Sequence, residues 1–393
     1  MKDSIVIVGA ARTPMGAFQG DFANLCASDL GAVAVRAALE RAGLAPDRVD
    51  DVLLGNCLMA GQGQAPARQA ALKAGVPASA GAVTLSKMCG SAMQAAIFAH
   101  DAILADTSKV VVAGGMESMT NAPYLIPKAR AGYRIGHGTL YDHMMLDGLE
   151  DAYEKGRAMG SFAEQCVARY GFSRAEQDAY AIESVRRAQA AADDGGFAWE
   201  IAPVEVASRA GKTLVAIDEG PAKARIDRIP TLKPAFQKDG SITAASSSSI
   251  NDGAAALVLM RESSAAELGC QPIARIVGHA RHSQTPEWFT TAPVGAIDKL
   301  YRKIGWQTEQ VDLFEINEAF AVVAMAAMKE HRISHQRLNV HGGACALGHP
   351  IGASGARIVV TLIGALKRSG GKRGVAALCI GGGEATAMAI ELV

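Results

Sequence analysis

Short runs of β-branched residues alternate with longer stretches of helical periodicity along most of the chain. Ile5-Val6-Ile7-Val8 opens as a strand pattern directly after a short polar start. Beyond Cys89 the apolar positions Ala92, Met93, Ala96, Ile97, Ile103 and Leu104 recur at helical spacing, which predicts a buried helix. A second helix is expected over Ala353–Lys367, and a more charged one near Arg174–Ala191. Strand and helix patterns in alternation predict an α/β fold with mainly parallel sheets and crossover helices. The run Ser246–Ser249 precedes Ile250-Asn251-Asp252-Gly253 and an apolar helix or strand over Ala254–Met260. The serines read equally as a linker or as a backbone-rich ligand loop.

The pattern repeats. Ile7-Val8-Gly9-Ala10-Ala11-Arg12 returns as Ile276-Val277-Gly278-His279-Ala280-Arg281. Arg48-Val49-Asp50-Asp51-Val52 is echoed by Gln310-Val311-Asp312-Leu313-Phe314, and Val110–Gly115 by Val375–Gly382. Three matches in one order, at similar offsets, argue for duplicated α/β units. The first half is expected over 1–120, completed by about 248–270, and the second over 271–393. Residues 121–247 form an insertion between them.

Composition narrows the class. The chain has 393 residues, too many for one simple core. Lys+Arg and Asp+Glu both total 39, so no overall positive field draws in nucleic acid or an anionic membrane. No stretch of about 20 uncharged apolar residues predicts a membrane span. Seven widely spaced cysteines argue against a disulfide framework and for a reducing compartment. The N-terminus lacks the layout of a signal peptide, so cytoplasmic residence is expected.

Four segments carry candidate chemistry. Cys89 sits at the start of a buried helix, where the partial positive charge of the helix N-terminus favours a thiolate. A small buried hydrophobe is the plain alternative. His341, Cys345 and His349 recur at intervals of four, a metal spacing only on a helix; the surrounding glycines and Pro350 argue against a helix and so against a metal. A glycine-rich loop presenting His349 to a cleft fits better. Cys379 ends a buried strand before Gly381-Gly382-Gly383, where exposed N–H groups suit an oxyanion hole. Asn317-Glu318 follows a strand pattern directly and reads as a surface turn or a functional pair. Gly61-Gln62-Gly63 is a poor dinucleotide fingerprint.

Taken together, Lys87-Met88-Cys89-Gly90-Ser91, Asn317-Glu318-Ala319-Phe320, Gly342-Gly343 through Gly348-His349-Pro350-Ile351-Gly352-Ala353-Ser354-Gly355, and Leu378-Cys379-Ile380-Gly381-Gly382-Gly383 resemble the thiolase family over essentially the whole chain. The resemblance implies two βαβαβαββ halves in a layered αβαβα arrangement with an inserted loop domain. It implies that His349 activates Cys89, which holds the acyl group as a thioester. Cys379 then deprotonates a second acetyl-CoA, whose carbanion attacks that thioester. Asn317, through a water, and His349 would stabilise the enolate oxygen, and the N–H groups of Cys89 and Gly381 the oxyanion. Ser248, Ala319, Phe320, Met159 and Leu149 are carried over as substrate and CoA contacts. Lys223, Arg225 and Arg228 form a basic cluster suited to the CoA phosphates or to plain solvation.

Three positions depart from the family's short-chain pattern. Ala158 stands for a histidine, Ser246 for an asparagine, and Trp288-Phe289 for a pocket methionine. A larger ring at Phe289 would shorten or reshape the acyl pocket. The resemblance implies an acetyl-CoA C-acetyltransferase acting on acetyl-CoA and acetoacetyl-CoA, with no metal and no cofactor. A 3-ketoacyl-CoA thiolase for longer chains is the nearer alternative, a non-catalytic lipid-binding relative the farther one. A ketoacyl synthase is disfavoured by Cys379. The stretch Ala129–Leu149 resembles that of tetrameric members, so a homo-oligomer built from dimers is expected.

Overall fold

The computed structural model describes residues 3–208 and 211–393. The first half runs β1 (Ile5–Arg12), α1 (Ala27–Ala42), β2 (Asp51–Gly55), α2 (Pro66–Lys73), β3 (Gly81–Leu85), α3 (Ser91–Leu104) and β4 (Val110–Ser118). The insertion follows, with α4 (Met159–Tyr170), α5 (Arg174–Asp193) and a hairpin of Val204–Ser208 against Gly211–Val215. Strand β5 (Asn251–Arg261) then completes the first half. The second half runs β6 (Ala274–Ser283), α6 (Ala292–Ile304), β7 (Leu313–Ile316), α7 (Ala321–His331), α8 (Ser354–Ser369), β8 (Arg373–Ile380) and β9 (Glu384–Leu392).

The strands lie in the order β7-β8-β9-β6-β1-β5-β4-β2-β3, and the two halves join where Val6 and Ile7 pair with Arg275 and Ala274. Residues 254–260 resolve as strand, not helix. Ala254, Ala256, Val258 and Met260 face the core under α1 and α2, while Ala255, Leu257 and Leu259 face α3 and α8. Burial on both faces explains the unbroken apolar run. The same two-sided burial in the second half places α6 and α7 on its outer face, giving five layers with α3 and α8 in the middle.

The expectation of mainly parallel sheets is corrected. Only β2–β3, β2–β4 and β7–β8 are parallel. Each half ends on a strand that returns beside its predecessor, as β9 does beside β8 and β5 beside β4, and these ladders are antiparallel.

The repeat extends to atomic detail. Both β1 and β6 break register at the same place, between Ile7 and Gly9 and between Ile276 and Gly278. A Cβ on Gly9 would stand 2.1 Å from the Ala38 carbonyl oxygen of α1, and one on Gly278 2.6 Å from Ile304 of α6. Each bulged glycine therefore lets the following helix lie close on its strand. Asp50 Oδ2 accepts from the N–H groups of Lys109 and Val110, and Asp312 Oδ2 from those of Lys372 and Arg373. These bonds set Val110 against Arg373, two residues earlier than the match read from sequence.

Among the described residues the second half has no counterpart of β3. Where the first half has β3, the second has a single bridge between Phe314 and Leu338. The Asn339 side chain takes over the edge: its Oδ1 accepts from Ile316 N–H and its Nδ2 donates to Ile316 C=O, both at 2.9 Å. The insertion is tied to β1 by buried Arg12, whose guanidinium pairs with Glu200 at 2.5 Å and with Asp218 at 2.7 Å. Among the described residues no helix is long and apolar enough to cross a membrane.

Gly9→Ala is expected to lower stability by about 1–3 kcal/mol, the usual cost of overpacking, because backbone stands in the way. An unchanged urea midpoint would show that the bulge and α1 separate without cost.

Candidate active site

The two middle helices begin side by side, and each is preceded by a reactive side chain. Cys89 lies two residues before α3 and His349 five before α8. Gly352 of the His349 loop donates its N–H to Glu117 Oε2 at 2.8 Å. The same buried carboxylate accepts from Asn56 Nδ2 and from the N–H groups of Cys57 and Leu58. Glu117, at the end of β4, thus bolts the loop of one half onto the strand ends of the other.

Both members of this pair are held neutral. Burial raises the Cys89 thiol to about 11, although N–H groups of Gly381 and of Cys89 itself bond the sulfur and pull the other way. The expectation that the helix N-terminus alone lowers this pKa is therefore corrected: with the sulfur out of water, desolvation outweighs the dipole. Burial, aided by the charge of Arg357, pushes His349 down to about 3. Ser354 donates its hydroxyl to Pro350 C=O at 2.9 Å, so its oxygen is left to accept from His349 Nδ1 at 2.5 Å. That places the ring proton on Nδ1 and leaves Nε2 as an acceptor. His349 Nε2 has no hydrogen-bond partner among the described residues. A neutral thiol beside a neutral imidazole with a free lone pair is an arrangement for proton transfer on attack.

Cys379 sits near the end of β8, on the face it shares with Val375 and Ala377. Burial and the neighbouring Cys89 push its thiol well above the usual range. Asn317, just past β7, accepts from Arg357 through Oδ1 at 3.2 Å, while its buried Nδ2 has no partner among the described residues. Glu318 turns away. Its carboxylate accepts from Tyr180, Ser184, Asn339 and the Cys345 N–H, tying α5 to the glycine-rich loop.

A cavity of about 280 Å³ is lined by Cys89, His349, Gly381 and Ile351. Leu149, Ala158, Met159, Ser248, Phe289, Ala319 and Phe320 also line it. Cys379 and Asn317 are not among the lining residues, though Cys379 interacts with Cys89. The Phe320 ring meets those of Phe236 and Phe289 edge to face, and all three line the cavity. The serine run is no linker: Ser248 N–H bonds Ala319 C=O, Ala321 N–H bonds Ser246 C=O, and Ser249 C=O receives His349 N–H. Ser246 is buried and accepts from Thr243 N–H, a link within its own loop.

Lys223, Arg225 and Arg228 lie outside the cavity lining. Lys223 pairs with Glu219 at 2.6 Å, and the two arginines flank Asp227. A single helical turn, Ala344–Leu347, forms where glycines argued against helix. It stops at Gly348, and His341 packs edge-on against Phe197.

Glu117, Ser354 and Arg357 were missed by sequence reasoning. Arg357 alone left a signal, a charge inside the apolar pattern of α8; Glu117 and Ser354 look ordinary in sequence.

The fold and this site define a thiolase. The model for the thiolase N-terminal domain matches residues 5–263 and that for the C-terminal domain residues 270–392, so the chain belongs to the thiolase family. It is 49% identical to acetyl-CoA acetyltransferase 1 of Arabidopsis thaliana, over 99% of this chain and 94% of that one. It is 46% identical to the acetyl-CoA acetyltransferase of Schizosaccharomyces pombe over the full length of both. Among solved structures, the Bacillus anthracis acetyl-CoA acetyltransferase superposes with a TM-score of 0.96 at 41% identity, covering 100% of this chain and 99% of that one. A thiolase from Ascaris suum in complex with coenzyme A gives 0.93 at 42%, covering 99% and 100%.

Alkylation of the free enzyme by iodoacetamide should quicken steadily from neutral pH towards pH 10, since the Cys89 thiolate accumulates only near pH 11. A plateau below pH 8 would mean that a thiolate–imidazolium pair is already formed. Ser354→Ala should cut kcat at least tenfold, part of the roughly 10²–10⁴-fold that a positioned base supplies. Its pH profile should also change, because the ring tautomer is no longer fixed; an unaltered kcat and profile would release Ser354 from this role.

Proposed function

We propose that the protein is an acetyl-CoA C-acetyltransferase that joins two acetyl-CoA molecules to acetoacetyl-CoA and CoA, and runs the reverse thiolysis, by a ping-pong route. The observation that carries this reading is that Cys89, His349 and Gly381 line one small apolar cavity, with the Gly381 N–H on the Cys89 sulfur. His349 Nε2 takes the Cys89 proton as the sulfur attacks the thioester carbonyl. The N–H groups of Cys89 and Gly381 receive the oxyanion. The CoA thiolate leaves with the proton of the Cys379 thiol, which thereby becomes a thiolate; the acetyl group remains on Cys89 and His349 keeps the proton on Nε2.

In the second step the Cys379 thiolate removes an α-proton from the incoming acetyl-CoA. The burial that raises the Cys379 pKa makes that thiolate a stronger base for a weakly acidic C–H. The carbanion attacks acetyl-Cys89, the C–C bond forms, and the Cys89 sulfur leaves with the proton held by His349, which restores the neutral pair. Protonated His349 Nε2 and, through a water, Asn317 Nδ2 donate to the enolate oxygen. Ser248, Ala319, Phe320, Met159 and Leu149 line the path of the pantetheine arm. Lys223 and Arg225 would reach the CoA phosphates only by leaving their carboxylate partners.

The aromatic lining by Phe236, Phe289 and Phe320 supports short acyl groups over the long-chain alternative. The names of the Arabidopsis, Schizosaccharomyces and Bacillus relatives point the same way. No metal or cofactor has a part in this chemistry. Cytoplasmic residence and a tetramer built from dimers belong to the same proposal. All seven cysteines are free, which suits a reducing compartment. Exposed Tyr124, Ile126, Ile135 and Leu140 form an apolar stretch in the insertion, and Val83 and Phe98 lie exposed at and beside the open β3 edge.

Mass spectrometry after mixing with acetyl-CoA should find one acetyl group on Cys89, and Cys379→Ser should still acetylate but condense poorly. Acetylation elsewhere, or faster thiolysis of a long 3-ketoacyl-CoA than of acetoacetyl-CoA, would overturn the assignment. Ile135→Asp, at a residue 99% exposed in the single chain, should lower the assembly mass seen by light scattering without reducing acetylation of Cys89.

A further inference from the structure

His100 and Asp101 on α3 and His279 on β6 bring three donor atoms together at the seam between the halves. His279 Nε2 lies 3.2 Å from His100 Nδ1 and 3.2 Å from Asp101 Oδ1, and those two atoms are themselves 3.2 Å apart. His279 is buried, His100 half-buried, and Asp101 open to solvent on its outer side.

Hydrogen bonds alone do not account for such a triangle. A carboxylate only accepts, and a ring nitrogen donates only when it carries the proton. If both nitrogens donate to Asp101, their own contact sets two N–H groups against each other. If one nitrogen accepts from the other, it has no proton for Asp101. At most two of the three sides are attractive. A cation at the centre makes all three so. Four ligands at about 2.0 Å in a tetrahedron stand about 3.3 Å from one another, which is the size of the triangle observed.

We propose that His100, Asp101 and His279 bind a divalent cation of the Zn²⁺ class, with water as the fourth ligand, as a clamp between the two halves. Two imidazoles and one carboxylate suit this borderline ion better than Mg²⁺ or Ca²⁺, which prefer oxygen. Lys303 donates to the His279 carbonyl at 3.2 Å, and its charge opposes a cation; the Asp101 carboxylate offsets it. The cluster lies eleven residues beyond Cys89, about 16 Å along the chain of α3. Its role is therefore to hold α3 against β6, not to take part in acyl transfer.

The test uses the full-length assembled protein in a Cys89→Ala background, which removes the most accessible active-site thiol. After dialysis against chelator, Zn²⁺ is titrated in by calorimetry, and bound metal is counted by elemental analysis after desalting. One equivalent per chain is expected, with a rise in Tm. Adding His279→Gln or Asp101→Asn should weaken binding more than about 100-fold, beyond what an outer-shell partner supplies, and abolish the rise. Absence of a bound equivalent, or one that survives both substitutions, overturns the proposal. If His279→Gln melts early even in chelator, His100→Gln gives the same reading from a less buried position. In the protein that retains Cys89, acetyl transfer by His100→Gln should match the parent; a loss of acetylation without a loss of zinc would also overturn it.

Discussion

The loop before α8 touches the strand ends that lead to α3, and everything chemical in this molecule depends on that contact. The Gly352 carbonyl oxygen would stand 2.6 Å from a Cβ on Gly55 and 2.0 Å from one on Gly115. Only hydrogen atoms fit there. The contact is then secured by Glu117, whose single carboxylate collects N–H groups from both halves. Shift this loop by the width of a methyl group and His349 no longer faces the sulfur it serves. Binding, acyl transfer and condensation all use the same few ångströms of packing.

Burial sets the electrostatics of the site. The helix dipole and two N–H groups favour a Cys89 thiolate, and desolvation opposes them and wins. The same burial keeps His349 neutral. The resting pair is thus uncharged, and charge develops only as the thioester arrives, where the Gly381 and Cys89 N–H groups already point. Donors fixed before charge appears need no reorganisation at the moment of reaction.

Much of this was legible in the sequence, for definite reasons. The duplicated Gly9/Gly278 bulge and the duplicated Asp50/Asp312 cap are local devices, so they leave local marks. Cys89, His349 and Cys379 were found because glycines surround them. Ala254–Met260 stayed ambiguous because a strand buried on both faces has no alternation to read. The Ser246–Ser249 run stayed open because its partners, Ala319 and Ala321, lie far along the chain. Glu117, Ser354 and Arg357 act only through residues that folding brings to them. The pKa of Cys89 was misjudged since helix position shows in sequence and depth of burial does not. The triangle of His100, Asp101 and His279 was invisible for the same reason as Glu117: His279 lies 178 residues from Asp101 and 179 from His100.

Asn339 has a consequence for how copies of this chain can meet. A sheet with two free ends can add to itself head to tail without limit. Here the Asn339 side chain occupies Ile316, and its N–H occupies the Phe314 carbonyl, so the β7 margin offers little for another strand to bond. The β3 margin stays open. A one-ended sheet can join only to its like, margin against the same margin, and such a union closes on itself after two. A single carboxamide thereby leaves the sheet one bonding margin, which would cap edge-to-edge growth at two copies.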